Sequence, residues 1–173
     1  MWHPLKEGPI KPKSPTFFSS SSIIEIKKEQ LKKLKEEAIS APLKRARLCL
    51  HHNHEDNVQE MVIVFSKESY VRPHRHINKV ESFHIIEGKC EVVLFDGDGK
   101  VTKRIKMSTI NEGETFLYKL SDESWHTVIP LSNYLILHET TNGPFSSNST
   151  EYPPWGPEED DIKAKEFIEY IKI

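Results

Sequence analysis

Apolar residues recur with two different spacings along this chain, and the change of spacing separates its helices from its strands. Leu31, Leu34 and Ala38 fall three and four residues apart among lysines and glutamates, with Ile39 beside them on the same face, which predicts an amphipathic helix over Lys28–Ser40. Pro42 ends it, and Ile23–Ile26 reads as a short strand before it. Leu43–Asp56 reads as irregular and rich in hydrogen-bond donors. From Val58 the pattern becomes strand-like. Met61–Phe65 is a continuous apolar run, Ser69–Ile77 and Glu81–Glu87 follow, and Cys90–Phe95 leads into Asp96-Gly97-Asp98-Gly99, a strong hairpin signal. Val101–Met107, Thr115–Leu120, Trp125–Ile129 and Tyr134–Glu139 complete the set. Short strands joined by tight turns, with no helix between them, predict a mainly β fold: an antiparallel barrel or jelly roll with flanking helices. The second helix is expected over Glu158–Ile171, with Ile162, Phe167, Ile168 and Ile171 as its apolar stripe.

Composition adjusts this picture at the ends. Residues 1–22 hold Pro4, Pro9, Pro12, Pro15 and the tract Ser19–Ser22, which predicts a flexible lead-in. The expected organisation is then one domain over residues 23–157, with residues 158–173 as a helix packed on it. The 173 residues suffice for one substantial core. A net charge of -2 gives no electrostatic reason to expect a nucleic-acid partner. No run approaches the length of a membrane span, and no apolar segment followed by small residues suggests a secretory signal. Cys49 and Cys90 have no metal or disulfide spacing, so reduced thiols in a cytoplasmic protein are expected.

The candidate chemistry is concentrated in one span. His74 and His76, two apart on a strand, put both imidazoles on one face. The gap to Glu81 fits only a tight hairpin, which brings this carboxylate beside His76. Nitrogen and oxygen donors converging from neighbouring strands suit a borderline divalent metal. A fourth ligand is expected from a later strand, and His126, at the start of one, is the residue placed to supply it. Buried unpaired, these groups would be costly, and a cation compensates them. One divalent transition metal, Fe, Mn, Ni or Zn, fits the set.

The spacing His74-x-His76, four residues, Glu81, six residues, Gly88 resembles the first motif of the cupin superfamily, and His126 stands where the second motif places a histidine. The usual PxGxxH before it reads Ser121-Asp122-Glu123-Ser124-Trp125-His126, the later Asn is Pro130, and the Gly before the first histidine is Glu68. These departures touch loops and leave the four ligand side chains in place. Within that superfamily, Tyr70–His76, Asn78–Phe83, Phe95-Asp96, Trp125–Thr127, Gly143–Phe145 and Trp155–Pro157 resemble the WbuC-type cupin-fold metalloproteins. The same holds for Arg45–Arg47, Leu50-His51 and Gln59–Met61. That resemblance implies a bound metal and an association with surface-polysaccharide biosynthesis, without specifying a reaction.

Around the ligands, Arg72 alternates onto their face and is expected to hold an anionic substrate. Glu139 is the expected acid or base. Lys79 sits in the turn at the barrel mouth. Arg45, Arg47, His51 and Gln59 belong to the donor-rich segment that would fold over the site, and Phe83 and Tyr118 are its expected walls. His84 falls on the opposite face of its strand from Glu81. The reading is a metal-dependent enzyme acting on a small polar or anionic molecule, sugar-related by family context, with isomerase- or epimerase-like Lewis-acid chemistry. An Fe(II) dioxygenase is the rival enzyme, and a non-catalytic carbohydrate-binding or sensor protein is the alternative from another class. The exposed helices permit a homodimer.

Overall fold

The computed structural model describes residues 2–4 and 12–171, and side chains from residue 12 onward. The elements are β1 (Trp2–Pro4), β2 (Thr16–Ser19), α1 (Lys28–Ser40), β3 (Arg45–Cys49), β4 (Val58–Ser66), β5 (Arg75–His76), β6 (Glu81–Glu87), β7 (Lys89–Phe95), β8 (Val101–Ser108), β9 (Leu117–Leu120), β10 (Trp125–Pro130), β11 (Tyr134–Asn142), β12 (Thr150–Glu151) and α2 (Lys163–Ile171). One sheet runs β1-β2-β3-β4-β11-β6-β9, a second β10-β7-β8, and β5 pairs with β12 alone. All pairings are antiparallel except β2 with β3. The fold is mainly β, with jelly-roll sheets packed face to face, as the strand pattern predicts.

Alternation along each strand sorts its side chains into layers. Met61, Ile63 and Phe65 of β4, with Phe83, Ile85, Leu135 and Leu137, face inward to Cys90, Val92, Met107 and Val128 of the second sheet. The other face of β4 carries Val62 and Val64, which join Ala46, Leu48 and Ile136 beneath Leu34 and Ala38 of α1. Both faces of β4 are therefore buried, which is why Met61–Phe65 reads as unbroken apolar sequence. On the far side, Val93, Phe95 and Ile129 are covered by Ile171, Phe167 and Ile168 of α2 together with Trp155. The order is helix, large sheet, small sheet, helix.

Several expectations are corrected. Ile23–Ile26 is not a strand: Ile23 is 79% exposed, and the Ser21 hydroxyl occupies its backbone N–H and C=O at 3.3 and 2.6 Å. Thr16–Ser19, within the expected lead-in, forms β2 and lies against β3. Leu43–Asp56 is not wholly irregular, since it contains β3, whose Arg45 and Arg47 hide the strand pattern by facing a polar interior. Of Ser69–Ile77, only Arg75–His76 is a strand. Pro73 has no N–H to give, and the carbonyls of Val71 and Arg72 accept from the Thr127 hydroxyl at 2.5 Å and lie 2.8 Å from His74 Nδ1. The second helix begins at Lys163, not Glu158. Asp161 accepts from the Lys163 N–H at 2.9 Å, and Ile162 is 85% exposed instead of lying on the packed stripe. No described helix is long and apolar enough to cross a membrane.

Candidate metal centre

Three segments deliver the four expected ligands to one point. The segment into β5 supplies His74 and His76, β6 opens with Glu81, and β10 supplies His126. His74 and His126 form an isolated antiparallel bridge, with N–H to O distances of 3.0 and 2.9 Å each way. The connection from His76 to Glu81 is not the expected hairpin, since β5 pairs with β12 while β6 pairs with β11 and β9. It is a short turn between two sheets that passes through Asn78 at φ +55°, a left-handed conformation that Asn tolerates better than most residues. The Glu123 carboxylate accepts the Asn78 N–H at 3.1 Å, and the Asn142 side chain accepts the Val80 N–H at 2.8 Å. The ligand atoms of His74, His76, Glu81 and His126 all lie within 4.8 Å of one another.

The surroundings orient each imidazole. Nδ1 lies 2.8 Å from the Arg72 carbonyl in His74, 3.0 Å from the Ser124 carbonyl in His126 and 3.2 Å from the Thr150 hydroxyl in His76. A carbonyl can only accept, so Nδ1 carries the proton in the first two rings and Nε2 is left with its lone pair in the neutral form. This is the supporting arrangement that metal-binding histidines need. Glu81 Oε1 lies 2.9 Å from His126 Nε2, and Glu81 Oε2 lies 3.3 Å from His76 Nε2. Among the described residues, Glu81 Oε1 and His126 Nε2 are buried without a hydrogen-bond partner, so their contact is close but not aligned. Two orphaned donor atoms on side chains that are 3% and 0% exposed fit a cation shared between them.

Electrostatics agree with the geometry. Burial alone would raise the Glu81 carboxyl, but His126, His76 and His74 outweigh it and hold the group below the usual carboxylate range. Burial, reinforced by His126, pushes His74 down to about 3, which keeps it neutral and able to ligate. Burial lowers His126 as well, but the Glu81 carboxylate more than offsets it.

His74, His76 and Glu81 border a cavity of about 440 Å³, and His126 lies buried behind them. The register builds its floor in rows on the inner face of the large sheet: Gln59, Thr141 and Glu81 form one row, and Met61, Glu139 and Phe83 the next. Glu139 faces the cavity without a hydrogen bond among the described residues, and burial, then repulsion from Glu81, pushes its carboxyl up to about 7.

No curated protein sequence matches the chain. Residues 26–107 match a domain of unknown function (DUF6016). That span holds His74, His76 and Glu81 and stops short of His126. Among solved structures, the chain is similar to protein SO0799 from Shewanella oneidensis, at 9% identity and a TM-score of 0.48, over 57% of this chain and 63% of that one. It is also similar to procruciferin, an 11S globulin from Brassica napus, at 10% identity, TM-score 0.45, over 56% of this chain and 22% of that one. A third is oxalate decarboxylase from Bacillus subtilis, at 19% identity, TM-score 0.45, over 57% and 24%. The chain spans less than two thirds of each of these proteins.

Of the other expected site residues, Arg45, Gln59, Arg72, Lys79, Phe83 and Glu139 line the cavity. Gln59 is occupied: its side-chain amide donates to the carbonyls of Asn53, His54 and Asp56 at 3.2, 3.3 and 2.8 Å, closing the loop before β4. His51 is not among the lining residues. It is buried, with Nδ1 2.9 Å from the Glu60 carbonyl oxygen and 3.1 Å from the Glu60 backbone nitrogen, and its ring edge-on to Phe18 at 5.5 Å. Tyr118 also stands behind the wall, its ring 5.6 Å from Phe83 and its hydroxyl buried without a hydrogen-bond partner among the described residues. Sequence reasoning missed Thr150, Tyr152 and Glu159, which line the cavity because β12 and the segment after it cross back over β5. No local pattern marks that return.

Proposed function

We propose that the chain is a metal-binding cupin in which His74, His76, Glu81 and His126 hold one divalent transition metal. We further propose that it is a metal-dependent enzyme acting on a small anionic molecule by isomerase- or epimerase-like chemistry. The observation that carries this reading is the convergence of four donor atoms within 4.8 Å, on rings whose outer nitrogens are already engaged, beside a cavity holding a separate carboxylate. When bound, such a metal supplies Lewis acidity toward a carbonyl or hydroxyl oxygen. Glu139, with its carboxyl at about 7, is suited to take a proton from a bound molecule and return it near neutral pH. Met61, Ile63, Phe83 and Leu137 form an apolar wall that limits water around that carboxyl. Lys79, which borders the same cavity and has no carboxylate partner among the described residues, favours an anionic ligand. The likeness to WbuC-type proteins supports a sugar-derived substrate.

An enzyme is preferred over a non-catalytic binder because Glu139 is not consumed by any structural hydrogen bond among the described residues. The test is to load the protein separately with Fe(II), Mn(II), Ni(II) and Zn(II) and incubate it in deuterated water with a panel of sugar phosphates and oxo-acids. Deuterium incorporation that Glu139→Gln abolishes while metal content is retained is the expected result. Oxygen uptake in the Fe(II) form would favour a dioxygenase. A thermal shift with neither exchange nor product would favour a binder. Full metal content in both His76→Ala and Glu81→Ala would sink the metal assignment itself.

A further inference from the structure

Four cationic side chains line the cavity: Arg45, Arg47, Arg72 and Lys79. The chain already engages three of them. Arg45 donates to the Tyr70 carbonyl at 3.0 Å and pairs with Glu159. Arg72 donates to the Gly156 carbonyl at 3.2 Å, pairs with Glu158 at 3.6 Å and lies over the Tyr152 ring, 4.7 Å from its centroid. Lys79 donates to the carbonyls of Asn142 and Pro144 at 2.8 and 3.1 Å. The acidic run Glu158–Glu159 thus neutralises two arginines before any ligand arrives.

Arg47 differs. Among the described residues its guanidinium makes no hydrogen bond or ion pair, and its Nε is buried. The Glu139 carboxylate of the same cavity acts on it through space but forms no ion pair with it among the described residues. A guanidinium left without a hydrogen-bonded counter-ion beside an apolar wall is costly, and an oxyanion is the group that its donor fork fits. Its place follows from strand register. Arg47 sits opposite Ile63, which sits opposite Leu137, one row above the Met61–Glu139–Phe83 row and two above the row that ends in Glu81. Two same-face steps along a strand are about 13 Å. Arg47 therefore borders the same cavity as the four-donor centre but stands well away from it, with Glu139 in the row between.

We propose that Arg47 anchors an oxyanion subsite, holding the carboxylate or phosphate group of a small organic ligand whose other end reaches toward the His74, His76, Glu81 and His126 centre. The ligand's far end rests on the metal reading above. The oxyanion contact does not.

The test is calorimetric titration of the full chain, metal-loaded and metal-stripped, with pyruvate and with inorganic phosphate. Wild-type protein is expected to bind one of them, and the preferred probe identifies the subsite as carboxylate or phosphate type. Arg47→Met, which keeps the apolar stem, is expected to weaken that binding by about 10-fold or more with metal content unchanged. Equal binding by Arg47→Met, or no binding of either probe by wild type, overturns the subsite and leaves the metal centre standing. Arg47-dependent binding in a protein that takes up no metal overturns the metal reading instead. A wild-type crystal grown with the tighter probe supplies a readout that does not depend on the variant folding. The oxyanion should lie on the Arg47 guanidinium, and an oxyanion placed elsewhere refutes the proposal.

Discussion

Stripping metal from the protein should lower its melting temperature by an amount set by how tightly the folded site holds the ion. Glu81 belongs to the large sheet, His126 to the small one, and His74 and His76 to a segment whose only ladder partner is the two-residue β12. An ion held by all four ties three pieces of chain that otherwise meet through side-chain packing, one isolated bridge and hydrogen bonds such as those of Thr127 to Val71 and of Asn78 to Glu123. Binding to the folded state alone stabilises by about 2.7 kcal/mol at a free metal concentration roughly 100 times the dissociation constant. For a domain of this size each kcal/mol corresponds to about 2–4 °C, so the expected shift is about 5–11 °C. The assay is thermal unfolding followed by circular dichroism, before and after exhaustive chelation, with metal content measured on the same samples. Glu81→Gln keeps the shape of the side chain and removes its charge, so this variant should melt at the same temperature with and without chelator. Coincident wild-type melts at full and zero metal content would refute the idea that the ion bridges the sheets. So would a Glu81→Gln protein that responds to chelator as wild type does.

Three further outcomes follow from particular residues. Gly88 sits at φ +84°, and a Cβ there would lie 2.1 Å from the Tyr134 carbonyl oxygen and 2.4 Å from Ser132 Oγ. Gly88→Ala should therefore cost about 2 kcal/mol or more in urea unfolding, and an unchanged midpoint would contradict the strain argument. Burial pushes the Cys49 thiol to about 11 and Cys90 to about 12, so at pH 8 a thiol reagent should label both only after unfolding in guanidinium; rapid labelling of native protein would count against it. Glu139 has its carboxyl raised to about 7, so between the unfolded value of 4.5 and 7 the folded state holds more protons and stability falls as pH rises. Glu139→Gln should then stabilise chelator-treated protein more at pH 8 than at pH 5, and a pH-independent difference would show that the carboxyl is not raised.

Periodicity carried most of the fold into view. Helix α1 is predicted at its observed bounds because Leu34 and Ala38 lie one turn apart and both are buried. Strands β6 and β7 and the hairpin at Asp96–Gly99 are legible for a related reason, their alternation and turn chemistry being local. Strand β3 was illegible because two of its inward positions, Arg45 and Arg47, face a polar cavity and so carry the residue types of a surface. The early start expected for α2 failed because the acidic residues at 158 and 159 leave the helix pattern to pair with Arg72 and Arg45.

The same division runs through the site. His74, His76 and Glu81 are within eight residues of one another, so a short connection keeps them close and a sequence states that directly, but the expected hairpin does not form, because β5 pairs with β12 and β6 with β9 and β11. The motif also pointed to His126. Which cations remain open to a ligand is decided by partners 25 to 114 residues away in the chain, among them Tyr70, Gly156 and Glu159. Charge on a side chain is a property of its residue type. Whether that charge is already compensated depends on what the folded chain places beside it, and only the tertiary structure shows Arg45 and Arg72 engaged and the Arg47 guanidinium facing the cavity with no hydrogen bond or ion pair among the described residues.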